Sequence, residues 1–145
     1  MSIEASVILI ILSAAGFSVS LSAHRERIRS HMGVCATDEP NIDEHALCDS
    51  VLHSPRSKII GTIPNTLIGM LWYALLCAVC IMLLFVNIGT TLLVLLAAAC
   101  ALIFLASVYL ALSLLFVERV FCLLCYTAHG INAIILAVML FELFS

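Results

Sequence analysis

Residues 90–117 read TTLLVLLAAACALIFLASVYLALSLLFV, a run with no ionisable side chain other than Cys100 and Tyr109. A helix needs about 20 apolar residues, at ~1.5 Å each, to cross ~30 Å of hydrocarbon, and this run exceeds that. Three more stretches resemble it: Ile3–Ala23 with Glu4 at its edge, Ile59–Asn87, and Val120–Phe144 with His129 and a near-terminal Glu142. In lipid each backbone N–H and C=O must find a partner within its own segment, so these runs predict helices. A membrane barrel would show polar and apolar residues in alternation, which the chain lacks. The expected fold is an all-α membrane protein, a four-transmembrane-helix bundle forming one integral-membrane domain over residues 1–145.

The composition supports this. Of 145 residues 64% are hydrophobic and 10% charged, whereas a soluble domain is roughly half apolar and about a quarter charged. A single soluble core cannot hide that much apolar surface, and disorder fails for the same reason. Six Lys+Arg against nine Asp+Glu exclude a nucleic-acid binder, which needs a basic footprint. The first stretch lacks a basic leader; Arg25, Arg27 and Arg29 follow it instead, an order that predicts a retained helix rather than a cleaved signal.

The connections are unequal: residues 24–58 read as one long polar loop, while Asn87–Gly89 and Glu118–Arg119 read as tight turns. So long a loop in so small a membrane protein points to function. With four spans, the long loop and the Glu118–Arg119 turn fall on one side. All six basic residues, Arg25, Arg27, Arg29, Arg56, Lys58 and Arg119, lie there, and the other side has none. The excess of Lys and Arg predicts that this side faces the cytoplasm. His24 and His31 read as exposed loop residues.

Seven cysteines carry the chemistry. Cys122-Leu-Leu-Cys125 opens the fourth span, where a spacing of three puts both thiols on one helix face and the unpaired amides of a helix N-terminus favour thiolate. Cys35 and Cys48 lie in the loop on the same side, close enough to exchange with Cys122. Cys77, Cys80 and Cys100 sit inside the second and third spans, far from any polar loop, and read as packing residues. Haem attachment would need His after Cys125, where Tyr126 stands. One alternative stays open at this level: Cys35, His45, Cys48 and His53 form a two-Cys, two-His set that could hold structural zinc in the loop of a membrane-anchored binding module, although the spacing matches no familiar finger.

Taken together, Cys35, then Cys48-Asp-Ser-Val-Leu-His-Ser54, then Gly61-Thr-Ile-Pro-Asn65, then Cys122-Leu-Leu-Cys125 on the last span resemble the vitamin K epoxide reductase family, and most of all its microbial, thiol-oxidising members. The resemblance runs from the basic residues after the first span to the end of the fourth. It implies a four-helix bundle around a quinone, capped by the long loop. By match of position it implies that Cys35 and Cys48 form the loop shuttle pair and that Cys122 and Cys125 form the membrane-embedded pair, with Cys125 facing the quinone. Asn65 matches the asparagine that hydrogen-bonds a quinone carbonyl, and Ser54 matches the serine beside the shuttle cysteines. The chain departs from the pattern in two places. Twelve residues, 36–47, separate the shuttle cysteines, more than is usual. His129 stands where vertebrate members carry a tyrosine that donates to the quinone.

The function implied is a membrane thiol oxidoreductase that generates disulfides, passing electrons from a dithiol protein through Cys35–Cys48 and Cys122–Cys125 to a membrane quinone of the menaquinone or ubiquinone type. No thioredoxin-like domain is fused to the chain, so that partner is expected to be a separate protein. His129 lies one turn beyond Cys125 on the same helix face; it reads either as a second donor to the quinone or as a structural histidine. Trp72 and Tyr126 read as pocket-lining or interfacial aromatics. Stable disulfides inside a cell are the exception found in thermophiles, and a cytoplasmic loop would place the protein in that group.

Overall fold

The computed structural model describes residues 2–31, 58–60, 63–85, 89–118 and 122–145. Its elements are α1 (Ile3–His31), a short antiparallel pair β1 (Lys58–Ile60) and β2 (Ile63–Pro64), α2 (Asn65–Phe85), α3 (Thr90–Ser113) and α4 (Leu123–Phe144). The stretches Ile3–Glu26, Asn65–Phe85, Thr90–Phe116 and Leu123–Phe144 are each long and apolar enough to cross a membrane. The all-α four-helix bundle expected from hydropathy is the fold.

Four boundaries differ from the hydropathy reading. One is the start of α4, which is Leu123 rather than Val120, so that Cys122 is extended just outside the helix and does not share a helix face with Cys125. Helix α1 does not stop at Ala23 but runs on to His31, so Arg25, Arg27 and Arg29 lie on helix. The segment after Ala23 has no Gly or Pro before Gly33, and Arg and Glu are good helix formers that can extend the rod beyond the hydrocarbon. Helix α2 begins at Asn65 rather than Ile59, because Pro64 lacks an N–H and forces the residue before it to be extended. Residues 58–60 and 63–64 supply β1 and β2 instead, and the apolar Ile59, Ile60 and Ile63 among them cannot be told from a helix start by hydropathy. At the far end of α3, residues Leu114–Glu118 form a π-helical turn.

Side-chain contacts fix an up-down-up-down arrangement. Helix α1 packs on α2 and α4, and α3 packs on α4. Ser2 joins the start of α1 to the end of α4, donating from its N–H and its hydroxyl to the two carboxylate oxygens of Glu142 at 2.7 Å each. At the opposite end His24 Nδ1 lies 3.3 Å from Thr66 Oγ1. His24 is thus half-buried between α1 and α2, not an exposed loop residue.

One face of α1 carries small residues, Ala5, Ser6, Ser13, Gly16, Ser20 and Ala23, and small faces let membrane helices approach closely. Five of these six are buried side chains. Ser13 donates to the Leu9 carbonyl one turn back at 2.7 Å, which satisfies its hydroxyl inside the helix. Gly16 lies directly against the Tyr73 ring, and a Cβ there would overlap ring carbons. The core is built from Leu9, Tyr73, Leu76, Leu93, Ala97, Ile135 and Met139, together with Cys80 and Cys100. These two thiols are buried in it, as packing residues would be. Between α2 and α3 an apolar cavity of about 240 Å³ is lined by Trp72, Leu76 and Val79 from one helix and Leu92, Leu96 and Ala99 from the other.

Candidate functional site

The end of the bundle that carries β1 and β2 also carries Asn65 and the Cys122-Leu-Leu-Cys125 pair. Asn65 is the first residue of α2 and is half-buried; asparagine suits a helix start because its short amide satisfies local backbone groups. Cys122 precedes α4 in an extended conformation as its N-terminal cap, and the Tyr126 N–H donates to its carbonyl at 3.0 Å. Cys125 lies within the first turn of α4. Cys122 is fully buried and Cys125 half-buried. Both pack with Leu114 and Leu124, so the π-helical turn that ends α3 forms one wall of the dithiol site. Such turns recur at functional sites, but nothing in LLFVE marks this one in advance.

His129 follows Cys125 at a spacing of four on α4 and is half-buried. Its Nδ1 lies 2.5 Å from Ser107 Oγ on α3. Ser107 Oγ also accepts a bond from Asn132 Nδ2 at 3.0 Å. Asn132 Oδ1 in turn accepts the Tyr73 hydroxyl at 3.0 Å, with the Ala128 carbonyl 3.2 Å from the same hydroxyl. Three helices thus contribute to one polar chain, Tyr73–Asn132–Ser107–His129, buried at Tyr73 and Ser107 and half-buried at Asn132 and His129. The sequence reading singled out His129 but missed Ser107, Asn132 and Tyr73. Asn132 was the available signal: an amide one turn past His129 on an apolar span needs a partner, because polar groups within a membrane are rarely left alone.

Cys35, Cys48 and Ser54 lie outside the described residues, as do His45, His53 and the 36–47 insertion. Among the expected site residues, Asn65, Cys122, Cys125 and His129 are described. The first three are at one end of the bundle and His129 is one turn deeper.

A family model for the vitamin K epoxide reductase family matches residues 7–140. The chain belongs to that family. No curated protein matches it. Vitamin K epoxide reductase family membership makes this a multi-pass membrane oxidoreductase, from a family that in general links thiols to quinones.

The donors present fit such an acceptor. A quinone has a flat apolar body with a carbonyl at each end, so it needs N–H or O–H donors set in apolar walls. Trp72 Nε1 is a buried N–H with no hydrogen-bond partner among the described residues, and it borders the apolar cavity between α2 and α3. An unmatched buried donor costs about 1–3 kcal/mol until something accepts from it. Asn65, at the start of α2, and His129, one turn past Cys125 on α4, add further N–H groups towards the dithiol end of the bundle.

Proposed function

We propose that this family member oxidises protein dithiols to disulfides and delivers the electrons to a membrane quinone. The observation that carries the reading is the placement of Cys122 and Cys125 at the capped start of α4, against the end of the bundle from which the loop with Cys35 and Cys48 emerges.

A reduced dithiol on a separate thioredoxin-like protein attacks the Cys35–Cys48 disulfide, and a mixed disulfide forms and resolves. The partner leaves oxidised and the loop pair is reduced. Cys48 thiolate then attacks Cys122, breaking the Cys122–Cys125 bond and releasing Cys125 as thiolate. Cys35 resolves the Cys48–Cys122 bond, so the loop disulfide returns and both membrane thiols are left reduced. Re-formation of the Cys122–Cys125 disulfide releases two electrons and two protons, which convert a quinone of the menaquinone or ubiquinone type to its quinol. Overall, one dithiol and one quinone become one disulfide and one quinol. Asn65 donates a hydrogen bond without ionising, which suits a site of low dielectric, and His129 is the second donor.

Disulfide mapping of the oxidised protein by peptide mass spectrometry tests the scheme. Cys35–Cys48 and Cys122–Cys125 linkages are expected, with Cys77, Cys80 and Cys100 alkylated as thiols after unfolding. A linkage that joins Cys77 or Cys80 to a loop cysteine would contradict it.

The loop side faces the cytoplasm in this reading, supported by six Lys and Arg at that end and none at the other. An impermeant maleimide applied to intact cells after mild reduction should then leave Cys35 unlabelled until the cells are opened. Ready labelling of Cys35 in intact cells would place the loop outside.

A further inference from the structure

The geometry points to Ser107 and Asn132 as positioning residues that fix His129 in the tautomer with its proton on Nε2, so that the ring offers the quinone a permanent, uncharged N–H. This rests on His129 meeting the quinone, as proposed above.

The assignment follows from counting donors. The Tyr73 hydroxyl has one proton, and both of its neighbours, Asn132 Oδ1 and the Ala128 carbonyl, are acceptors. With Oδ1 facing Tyr73, the Asn132 amide nitrogen faces Ser107 and donates to it. Ser107 Oγ has then accepted one bond and has one proton of its own to place. The other serine hydroxyls that bond within the helices, at Ser6, Ser13, Ser18 and Ser22, each donate to a carbonyl four residues back. Among the described residues, Ser107 makes no such bond, and its available acceptor is His129 Nδ1 at 2.5 Å. A neutral imidazole carries one N–H, and an Nδ1 that accepts leaves that hydrogen on Nε2.

Every bond in the chain therefore runs in one direction, from Tyr73 towards His129. Two features hold that direction. Ser107 is 4% exposed and Tyr73 2%, so water does not compete for either hydroxyl. Tyr73 is also pressed by Gly16 of α1, which keeps its hydroxyl aimed at α4. The outcome is a second donor of the same chemical kind as the Asn65 amide: neutral, directional, and needing no proton from solvent. A polar cluster that merely ties helices together would act equally on both substrates of the enzyme.

The direct test is nitrogen-15 NMR of histidine-labelled protein in lipid, with the His129 signals identified by difference from His129→Leu. The Nε2–H pattern is expected for His129, and an Nδ1–H pattern overturns the inference. Kinetics supply the second test. Ser107→Ala removes the donor to Nδ1, and kcat/KM for the quinone should fall about three- to tenfold, the loss of one neutral hydrogen bond. The KM for the dithiol donor should stay unchanged, Ser107→Thr should restore most of the loss, and Ser107→Ala should add nothing in the His129→Leu background. Unchanged quinone kinetics in Ser107→Ala alongside a clear loss in His129→Leu overturns the positioning role and leaves the donor role of His129 standing. Unchanged quinone kinetics in His129→Leu overturns both.

Discussion

Cys125→Ala abolishes dithiol-dependent quinol formation while the folded protein still accumulates in membranes. The expectation follows from what each sulfur does. Without Cys125 the disulfide that hands two electrons to the quinone cannot form, so the effect is loss of the reaction rather than a change of rate constant. The thiol is half-buried beside Leu114 and Leu124, and exchange of a half-buried cysteine for alanine removes one small apolar group. That leaves a minor cavity whose cost falls at the low end of core truncations, about 1 kcal/mol. Stability and activity are thereby separated. Once reduced by the dithiol partner, the loop pair of this variant should stay as thiols, because no Cys122–Cys125 disulfide is present for Cys48 to attack. Joint replacement Cys77→Ala and Cys80→Ala is the control. Those thiols lie on α2 beyond Tyr73, with Cys80 in the apolar core, and the turnover rate should stay within about twofold of the parent, a difference below ~0.5 kcal/mol in the barrier. Full activity in Cys125→Ala, or none in the double variant, would mean that the wrong Cys-x-x-Cys has been assigned.

Gly16→Val carries the largest expected effect on the fold. At Gly16 a Cβ would already overlap the Cδ1, Cε1 and Cζ atoms of Tyr73. Overlaps with the far end of a flexible chain relax cheaply, but this ring is held at its hydroxyl by Asn132 and Ala128. Either α1 moves away from α2, exposing the small-residue face that let the two approach, or Tyr73 leaves its partners and the polar chain to His129 is broken. Overpacking of this kind costs about 1–3 kcal/mol, and two further methyl groups place valine towards the upper end. Thermal unfolding of the purified protein should shift down accordingly, with Gly16→Ala intermediate. Gly69→Ala makes a milder comparison. Its new methyl would meet the Ser20 hydroxyl at 3.0 Å, a group that can rotate aside, so the loss should be smaller. Equal stability of Gly16→Val and the parent would show that α1 and α2 are not in the close packing described.

How much of this was legible in the sequence depends on which physical constraint acted on each residue. The four spans could be read because a bilayer demands one long apolar helix per crossing, and little else satisfies the backbone there. Their ends were less legible. Residues 59–64 are apolar enough to pass for helix, and the stop imposed by Pro64 is conformational rather than hydropathic. Arg25, Arg27 and Arg29 were read as loop because they are charged, yet charge ends a membrane crossing without ending a helix. Among the candidate site residues, Cys122 and Cys125 stood out through spacing and Asn65 and His129 through position in the motifs. Ser107 and Tyr73 were silent: each is one polar group on an apolar helix, and the meaning of each comes from Asn132, which reaches them from a third helix. The π-helical turn at Leu114–Glu118 was equally silent, since up to Glu118 its residues continue the apolar run of the helix before it.

The central claim, that thiol electrons reach a quinone through this bundle, is tested most directly by an anaerobic assay of the purified protein with a reduced dithiol protein and a soluble quinone. Quinol and protein disulfide should appear together, one for one, with no oxygen present and with no turnover when quinone is left out. Disulfide formation that proceeds at the same rate without quinone, or quinone that stays oxidised while the dithiol is consumed, would contradict the account.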